Sequence, residues 1–554
     1  MKKTTYAILF IALCLPNLKG FAQMPFSIMD YVDINNISAA VLVHGDMWWN
    51  IGTQTAACEF PKGSGKNISF ASSLWMSGYD GGNNLHVSAQ TYRQNGNDYW
   101  PGPLDSNDTL TYTSSEAWAK IWKVNQTDIV AFNATGTHTI SNTPNDILTW
   151  PAKGNPNAKG GFGISLTINE DMAPFVDVNS DGIYNALQGD YPAIKGDQTL
   201  WWVFSDNGPT HTETNGSPLK VEVHAMAFAY SRGTLIDNVI YHEYTIFNRS
   251  STNYNNYRIG LFSCIDLGYA NDDYIGFDSS HRMGIDYNGT VVDGTGQVNS
   301  YDTMIPTVGI TMIVLPGDSP PSSILPAGSF MFYNNDNSVQ GNPALPGEYN
   351  NYLRSEWRDT SHLTNDFQGY GIQSSGHATG ANTNYVFTGD PSDTSSWSEC
   401  AAQNPPGDRR FVITSSDFTL NAGASQKVVM ALVTTNPMLH NGCPNANFDS
   451  VKTVADTAWN IYFNPLQTLS VTTQTMNNSL RIYPNPAHDK LCVDSKNSMM
   501  EQLTIYNTMG QVVNTIQDVY QGKTEVNIAN LPDGMYYILY RDVNEQKAAT
   551  FIKQ

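Results

Sequence analysis

Basic residues are scarce in this chain: 29 Lys plus Arg stand against 50 Asp plus Glu, a formal net charge of -21. Affinity for nucleic acid rests on clustered cations, so no nucleic acid partner is expected. Cysteine is sparse as well, with six residues. Cys14 falls inside an N-terminal apolar run, which leaves Cys58, Cys264, Cys400, Cys443 and Cys492 for the mature chain. That odd, scattered set is no disulfide framework, although a single bridge such as Cys400 to Cys443 suits an oxidising compartment. No C-x-x-C pair occurs, which removes a cysteine-based zinc site. Long apolar runs are missing too. Residues 7–15 are the longest such stretch, about half of the roughly 20 residues a spanning helix needs. Stretches rich in Lys, Glu and Ala, which would favour helices, are few.

What is present points outward from the cell and toward strands. Lys2 and Lys3, the apolar residues 7–15 and the small-residue exit Gly20-Phe21-Ala22-Gln23 read as a signal peptide over residues 1–23. The acidic excess is dispersed among Asn, Gly, Ser and Thr, the composition of turns between strands. Residues 220–231 alternate, with Val221, Val223, Ala225 and Ala227 on one face, and residues 238–248 do the same. The short link 232–237 predicts a hairpin. A second pair, 417–420 and 427–434, flanks the turn 421–425. One helix is clear over 449–463, where Val451, Val454, Ala455, Ala458, Trp459, Tyr462 and Phe463 make one apolar face behind an Asp449 or Ser450 cap. Residues 316–346, full of Pro, Gly, Ser and Asn, read as a long surface excursion. The fold expected is all-β: a sandwich-type body of one to three domains, divided as 24–165 and 166–463, then a linker over 464–479 and a small β-sandwich over 480–554.

The best candidate for chemistry is Asp177-Val178-Asn179-Ser180-Asp181-Gly182-Ile183-Tyr184-Asn185, with Asp190 beyond. Oxygen donors at alternate positions, then a glycine for the sharp turn, let a chain wrap a calcium ion. The ligands would be Asp177, Asn179, Asp181, the Ile183 carbonyl and Asn185. Gln188 replaces the usual bidentate Glu, and Asp190 is the substitute carboxylate. A weak structural calcium ion is expected. A second acidic cluster, Asp266, Asp272, Asp273 and Asp278 with Asp286 nearby, is a further candidate, because gathered carboxylates repel unless a cation sits among them.

The twelve tryptophans could line a glycan-binding surface if exposed, but aromatics in alternating strands more often fill a core. Adjacent Trp201 and Trp202 would point to opposite faces of a strand, leaving at least one outside the core. Catalytic motifs are incomplete. His242-Glu243 lacks its second histidine, since Ile246 stands there. Phe60 and Asn67 spoil a phosphate loop around Gly65-Lys66, and Ile372 spoils a nucleophile elbow at Ser374. Glu222, Glu243, Glu356 and Glu399 could pair as glycosidase carboxylates only if the fold brings two together. His224 and His242, on facing strands, could share a metal.

Residues 480–554 carry four ordered elements: Tyr483-Pro484-Asn485-Pro486, Ile505-Tyr506-Asn507 with Gly510, Leu531-Pro532-Asp533-Gly534-Met535-Tyr536, and Lys553 near the end. The segment resembles the type A C-terminal sorting domain of proteins exported by type IX secretion. That resemblance implies the type IX translocon and its sorting machinery as partners, passage across the outer membrane, removal of the domain, and attachment of the body to surface lipopolysaccharide. More loosely, residues 74–80, 97–103, 177–192 and 407–411 resemble a class of large surface proteins that carry this domain, with no activity to transfer. The reading is a secreted or outer-membrane-associated, non-catalytic, calcium-stabilised protein with an adhesive or structural role and a glycan or matrix ligand. The alternatives are a polysaccharide-acting hydrolase and a glycan-binding module.

Overall fold

The computed structural model describes residues 28–93, 96–320, 323–366, 369, 380–465, 481–494, 502–507, 512–517, 523–541 and 546–554. The expected signal peptide, Gly510, Ser374 and all but the first two residues of the expected linker lie outside them. The chain divides into two compact units, one up to Thr468 and one from Leu469.

The body is built on a nine-stranded antiparallel sheet. Its central strands are Gln198–Ser205, Val221–Ala229, Val239–Asn248, Ser425–Thr434 and Val308–Val314, and the hairpin Asp273–Asp278 with Met283–Asn288 closes one edge. A second sheet of six strands, ordered Ser329–Asn334, Arg409–Thr414, Tyr254–Cys264, Ala71–Tyr79 and Leu85–Ala89 with Phe418–Leu420 beside Tyr254–Cys264, packs on one face of the first. The six-stranded sheet joins segments from both sides of residue 165, since Ala71–Tyr79 pairs with Tyr254–Cys264.

The alternation in residues 220–231 sorts as the sequence indicates, but both faces are covered. Val221, Val223, Ala225, Ala227 and Ala229 enter the core between the sheets, whereas Met226 and Phe228 enter a second core on the outer face. That second core is roofed by residues 122–186 and by the helix Phe448–Phe463. Trp201 and Trp202 do point to opposite faces, yet both are buried, one in each core. The expectation that one would lie outside the core assumed a solvent face that this sheet does not have at Trp201 and Trp202.

The hairpin over 220–248 is present, with Phe228 opposite Tyr241. The second expected pair is not a hairpin. Phe418–Leu420 pairs with Tyr254–Cys264 in the six-stranded sheet, while Ser425–Thr434 lies in the nine-stranded one, so the turn between them carries the chain across the sandwich. The helix begins at Phe448, and its cap is Asn447, whose side chain accepts from Ser450 N at 3.2 Å. It buries Val451, Val454, Ala455, Ala458 and Ile461, and Tyr241 Oη donates to the Ala458 carbonyl at 2.8 Å. The excursion over 316–346 is interrupted by the edge strand Ser329–Asn334, whose Phe330 and Phe332 are fully buried.

Cys400 and Cys443 form a disulfide, with Cα atoms 5.8 Å apart and a sequence separation of 43. It ties the short helix Glu399–Ala402 to the turn that leads into the helix Phe448–Phe463. Closing a loop of that length removes unfolded-state entropy worth about 4 kcal/mol. Reduction is therefore expected to lower the denaturation midpoint of the body markedly, measured by urea unfolding with and without reductant. An unchanged midpoint would remove this bridge from the account of stability.

Candidate functional site

The loop after the short strand Phe175–Val176 folds around its own polar side chains. Asp177 Oδ1 accepts from Ser180 N at 2.6 Å, and Asp177 Oδ2 from Gly182 N at 2.8 Å. Asn179 Oδ1 accepts from Asp181 N at 3.1 Å, and Asp181 Oδ1 from Ile183 N at 2.9 Å. Gly182 has φ +80°, so a residue with a side chain would strain the turn there. Asp190 is buried and clamps the two arms of the loop, accepting from Val178 N at 2.9 Å and Asn185 N at 2.8 Å. Gln188 Oε1 accepts from the Asn179 amide at 3.2 Å, so the side chain at the twelfth position does face the loop. Asn185 caps the following turn through Leu187 N at 3.1 Å. The Ile183 side chain is 43% exposed, and the neighbouring Tyr184 anchors the loop from below by donating to the Ile147 carbonyl at 2.6 Å. The structure thus brings together Asp177, Asn179 and Asp181, with Asp190 as the support beneath them.

The second acidic set does not stay together. Asp278 lies at the far end of its strand from Asp273. There it pairs with His281, whose Nδ1 is 2.6 Å from Asp278 Oδ2 and whose Nε2 is 2.9 Å from Asp456 Oδ1 on the terminal helix. Burial alone would raise the Asp278 carboxyl, but hydrogen bonds from His281 and Ser280 bring it down to about 2. Asp266 sits beside Cys264 and Asp408, the three offering donor atoms within 4.8 Å of one another. Burial pushes Asp266 up to about 7 and the Asp408 charge adds to this. Asp273 is buried, and Asp286, Asp272, Asp266 and Asp293 add to the rise of its carboxyl, with Asn288 opposite it in the ladder of the edge hairpin. Asn288 and Asp293 have no acidic motif to mark them. The strand alternation that puts Asp286 and Asn288 on one face was the available signal.

The remaining candidates are engaged in holding the fold. Glu222 is buried and pairs with His224 at 2.8 Å and Arg249 at 2.5 Å. Glu243 pairs with Lys195 and Lys427 and accepts from Tyr462 Oη at 2.8 Å. Glu399 pairs with Arg409 at 3.1 Å. Glu356 is half-buried. His224 and His242 face opposite sides of the sheet: His242 lies against Trp48 in the core between the sheets, His224 against Trp201 in the other. They cannot share a metal. None of the twelve tryptophans is exposed, so none offers its ring to a sugar from an exposed position.

One arrangement has the spacing of a nucleophilic triad, with Ser88 Oγ 3.1 Å from His211 Nε2 and His211 Nδ1 3.3 Å from Asp98 Oδ1. Ser88, however, is fully buried and donates its proton to Asp206 at 2.5 Å. His211 Nδ1 is not aligned for a hydrogen bond. A hydroxyl committed to a carboxylate in a closed core is a structural element, not a nucleophile.

The C-terminal unit is a small sandwich. Three strands, Arg481–Tyr483, Lys490–Asp494 and Lys523–Asn527, face four, Val512–Gln517, Gln502–Asn507, Gly534–Arg541 and Gln546–Lys553. Leu491, Val493, Leu503, Ile505, Val526, Ile538 and Phe551 fill it. Asn485 is stitched to the last strand, accepting from Ile552 N at 2.9 Å and donating to the Thr550 carbonyl at 3.2 Å. The peptide bonds before Pro484 and Pro486 are cis. Tyr483 is 39% exposed, with Lys523 Nζ 5.7 Å from its ring centre. Tyr536 stacks on Phe551 at 5.4 Å and donates to the Pro532 carbonyl at 2.7 Å. Lys553, opposite Gly534 in the ladder, sets its amine against Asp533 at 3.4 Å and the Gln554 carbonyl at 3.0 Å.

Residues 481–554 match the family model of the secretion system C-terminal sorting domain. The chain is a secreted, cell-surface-associated protein, and its last domain addresses it to the type IX secretion machinery. No curated protein matches it. Among solved structures it has a likeness to a polysaccharide lyase at 8% identity and a TM-score of 0.20, covering 69% of this chain and 38% of the lyase. The chain thus spans well under two thirds of that protein, and a score so low carries no argument about fold or chemistry.

The His281 contact generates a pH dependence. Its hydrogen bond to Asp278 raises the imidazole above its ordinary value of 6.5, against the opposing effect of burial. The stabilisation is then complete below about pH 6.5 and is lost as the pH rises through the raised value. In unfolding curves measured across that range, His281→Gln should flatten this loss. A profile unchanged by the substitution would show that the pair contributes nothing to stability.

Proposed function

We propose that the exported body is a non-catalytic, calcium-stabilised surface protein with an adhesive or structural role. The observation that carries the calcium reading is the loop from Asp177 to Asp190. Three alternate oxygen-bearing side chains are held inward by backbone donors, a glycine makes the sharp turn, and a buried carboxylate supports the base. Such pre-arranged oxygens suit a hard cation, and with only two carboxylates in the first turns the affinity expected is on the order of 10⁻⁴ to 10⁻³ M, typical of extracellular modules. The non-catalytic reading is supported by the acid and base candidates, three of whose four glutamates are tied to cations. In this reading the sorting domain is removed after export and the body is held on surface lipopolysaccharide, where a glycan or matrix protein is the ligand.

Two measurements test the proposal. Deleting residues 480–554 should leave the protein inside the cell envelope, scored by surface labelling of intact cells. Undiminished labelling would remove the sorting role. Calcium should raise the Tm of the full-length protein and a chelator should lower it again, with Asp181→Ala reducing the shift. A Tm indifferent to both calcium and chelator would end the calcium reading of the loop.

A further inference from the structure

A small sheet near the start of the body is ordered Met29–Val32, Ser38–Leu42, Cys58–Glu59 and Asn67–Ser69. Its register sets polar side chains in a row, with Ser38 opposite Glu59 and Glu59 opposite Asn67. Side chains directly opposite in an antiparallel ladder lie about 5 Å apart at Cβ, so these three share one face. Tyr31 joins them, because its partner Ala40 stands two residues from Ser38. The alternate residues Val32, Ala39, Cys58 and Ile68 enter the core behind them. The neighbouring hairpin of Trp49–Asn50 with Thr55–Ala56 brings in Asn50. These five side chains line an open cleft of about 200 Å³, with the exposed Gly65 on its wall.

Three of them are held by one atom and leave another free. Glu59 Oε1 accepts from Gly65 N, Asn67 Oδ1 from Cys58 N at 2.9 Å, and Asn50 Oδ1 from Gly52 N at 2.9 Å. Glu59 Oε2, the amide nitrogens of Asn50 and Asn67, and the hydroxyls of Ser38 and Tyr31 have no hydrogen-bond partner among the described residues. Backbone anchoring fixes the longer side chains in advance, which spares a ligand the cost of ordering them.

The lining narrows the ligand. It holds one carboxylate and no cation: Lys62 Nζ donates to the Asp33 carbonyl, and Lys66 Nζ lies 5.4 Å from the Tyr301 ring centre. A phosphate or sulfate would meet Glu59 with nothing to offset the repulsion. A hard metal ion would meet amide and hydroxyl protons around a single carboxylate. An apolar molecule would cut the free polar groups off from water. A ligand rich in hydroxyls, each able both to donate and to accept, matches every one of them. The volume lies below the roughly 300 Å³ at which pockets for drug-sized ligands begin, so the cleft takes one small ring.

We propose that this cleft binds a single neutral sugar residue, to which Asn50, Asn67, Ser38 and Tyr31 donate and from whose hydroxyls Glu59 accepts. The proposal rests on the adhesive reading with a glycan as ligand, and it gives that ligand a class and a place. The rest of the glycan extends through the open mouth of the cleft.

Saturation-transfer NMR on the full-length protein, with glucose, galactose, mannose, fucose and N-acetylglucosamine as separate probes, tests the cleft. At least one is expected to bind. Glu59→Gln and Asn67→Asp each keep the atom that the backbone holds and change only the free one. Both should therefore weaken that binding about tenfold, the loss of one hydrogen bond, with Tm unchanged. No binding by any of the five sugars would overturn the site, and so would binding that neither substitution weakens. Should one variant not fold, the other decides. Adhesion of the protein to glycan-coated and matrix-coated plates is scored in parallel. Adhesion with no sugar in the cleft ends this proposal and keeps the adhesive reading, whereas a sugar in the cleft without adhesion does the reverse.

Discussion

Both faces of the nine-stranded sheet are covered over most of their length, and the rest of the body follows from that constraint. A strand such as Val221–Ala229, buried at every position, needs apolar partners above and below it. The six-stranded sheet supplies one side. The other is covered by the segment 122–186 and by the helix Phe448–Phe463, which contribute Trp122, Trp150, Val451, Val454 and Ala458 to a single core. Fully burying an aliphatic side chain such as Val451 or Val454 contributes about 1.5–3 kcal/mol. Some of the polar groups that enter this sheet arrive paired, as Glu222 does with His224 and Arg249. The tryptophans accordingly went to the cores.

This double burial also explains which parts of the sequence were legible. Periodicity identified the strands of the 220–248 hairpin, because apolar residues recur at every second position whichever face is being filled. It could not say that the intervening residues were buried too, since Ala225, Met226 and Ala227 read alike in any interior. Pairing partners were legible only where the connection was short. Phe418–Leu420 and Ser425–Thr434 are separated by a turn of hairpin length, yet they belong to different sheets, because a sandwich corner and a hairpin turn use the same residue types.

The candidate sites divide along the same line. The Asp177 loop was legible because its chemistry is local: alternate donors and a glycine lie within a dozen residues. The acidic set at Asp266 to Asp278 was only half legible, because proximity in sequence was taken for proximity in space. A strand extends about 3.3 Å per residue, so Asp273 and Asp278 stand at opposite ends of a six-residue strand and serve different partners. Asp286 and Asn288 come in from the neighbouring strand, through a register that no spacing rule contains. In the C-terminal unit the motif residues lie in the order the fold uses them, and Asn485 shows why: both ends of its amide are spent on the last strand, so the opening of the domain is fixed by its closing.

Secretion constrains the electrostatics in turn. A chain with a net charge of -21 gains solubility outside the cell but accumulates self-repulsion when it compacts. Several of the acidic side chains meet this by sitting in turns that satisfy them with backbone N–H groups, as Asp80, Asp105 and Asp390 do. That device works at the surface, where water screens what remains. It is not open to Asp286, which register places in the sheet's edge, where burial and the neighbouring Asp266 and Glu399 charges push its carboxyl well above the usual carboxylate range.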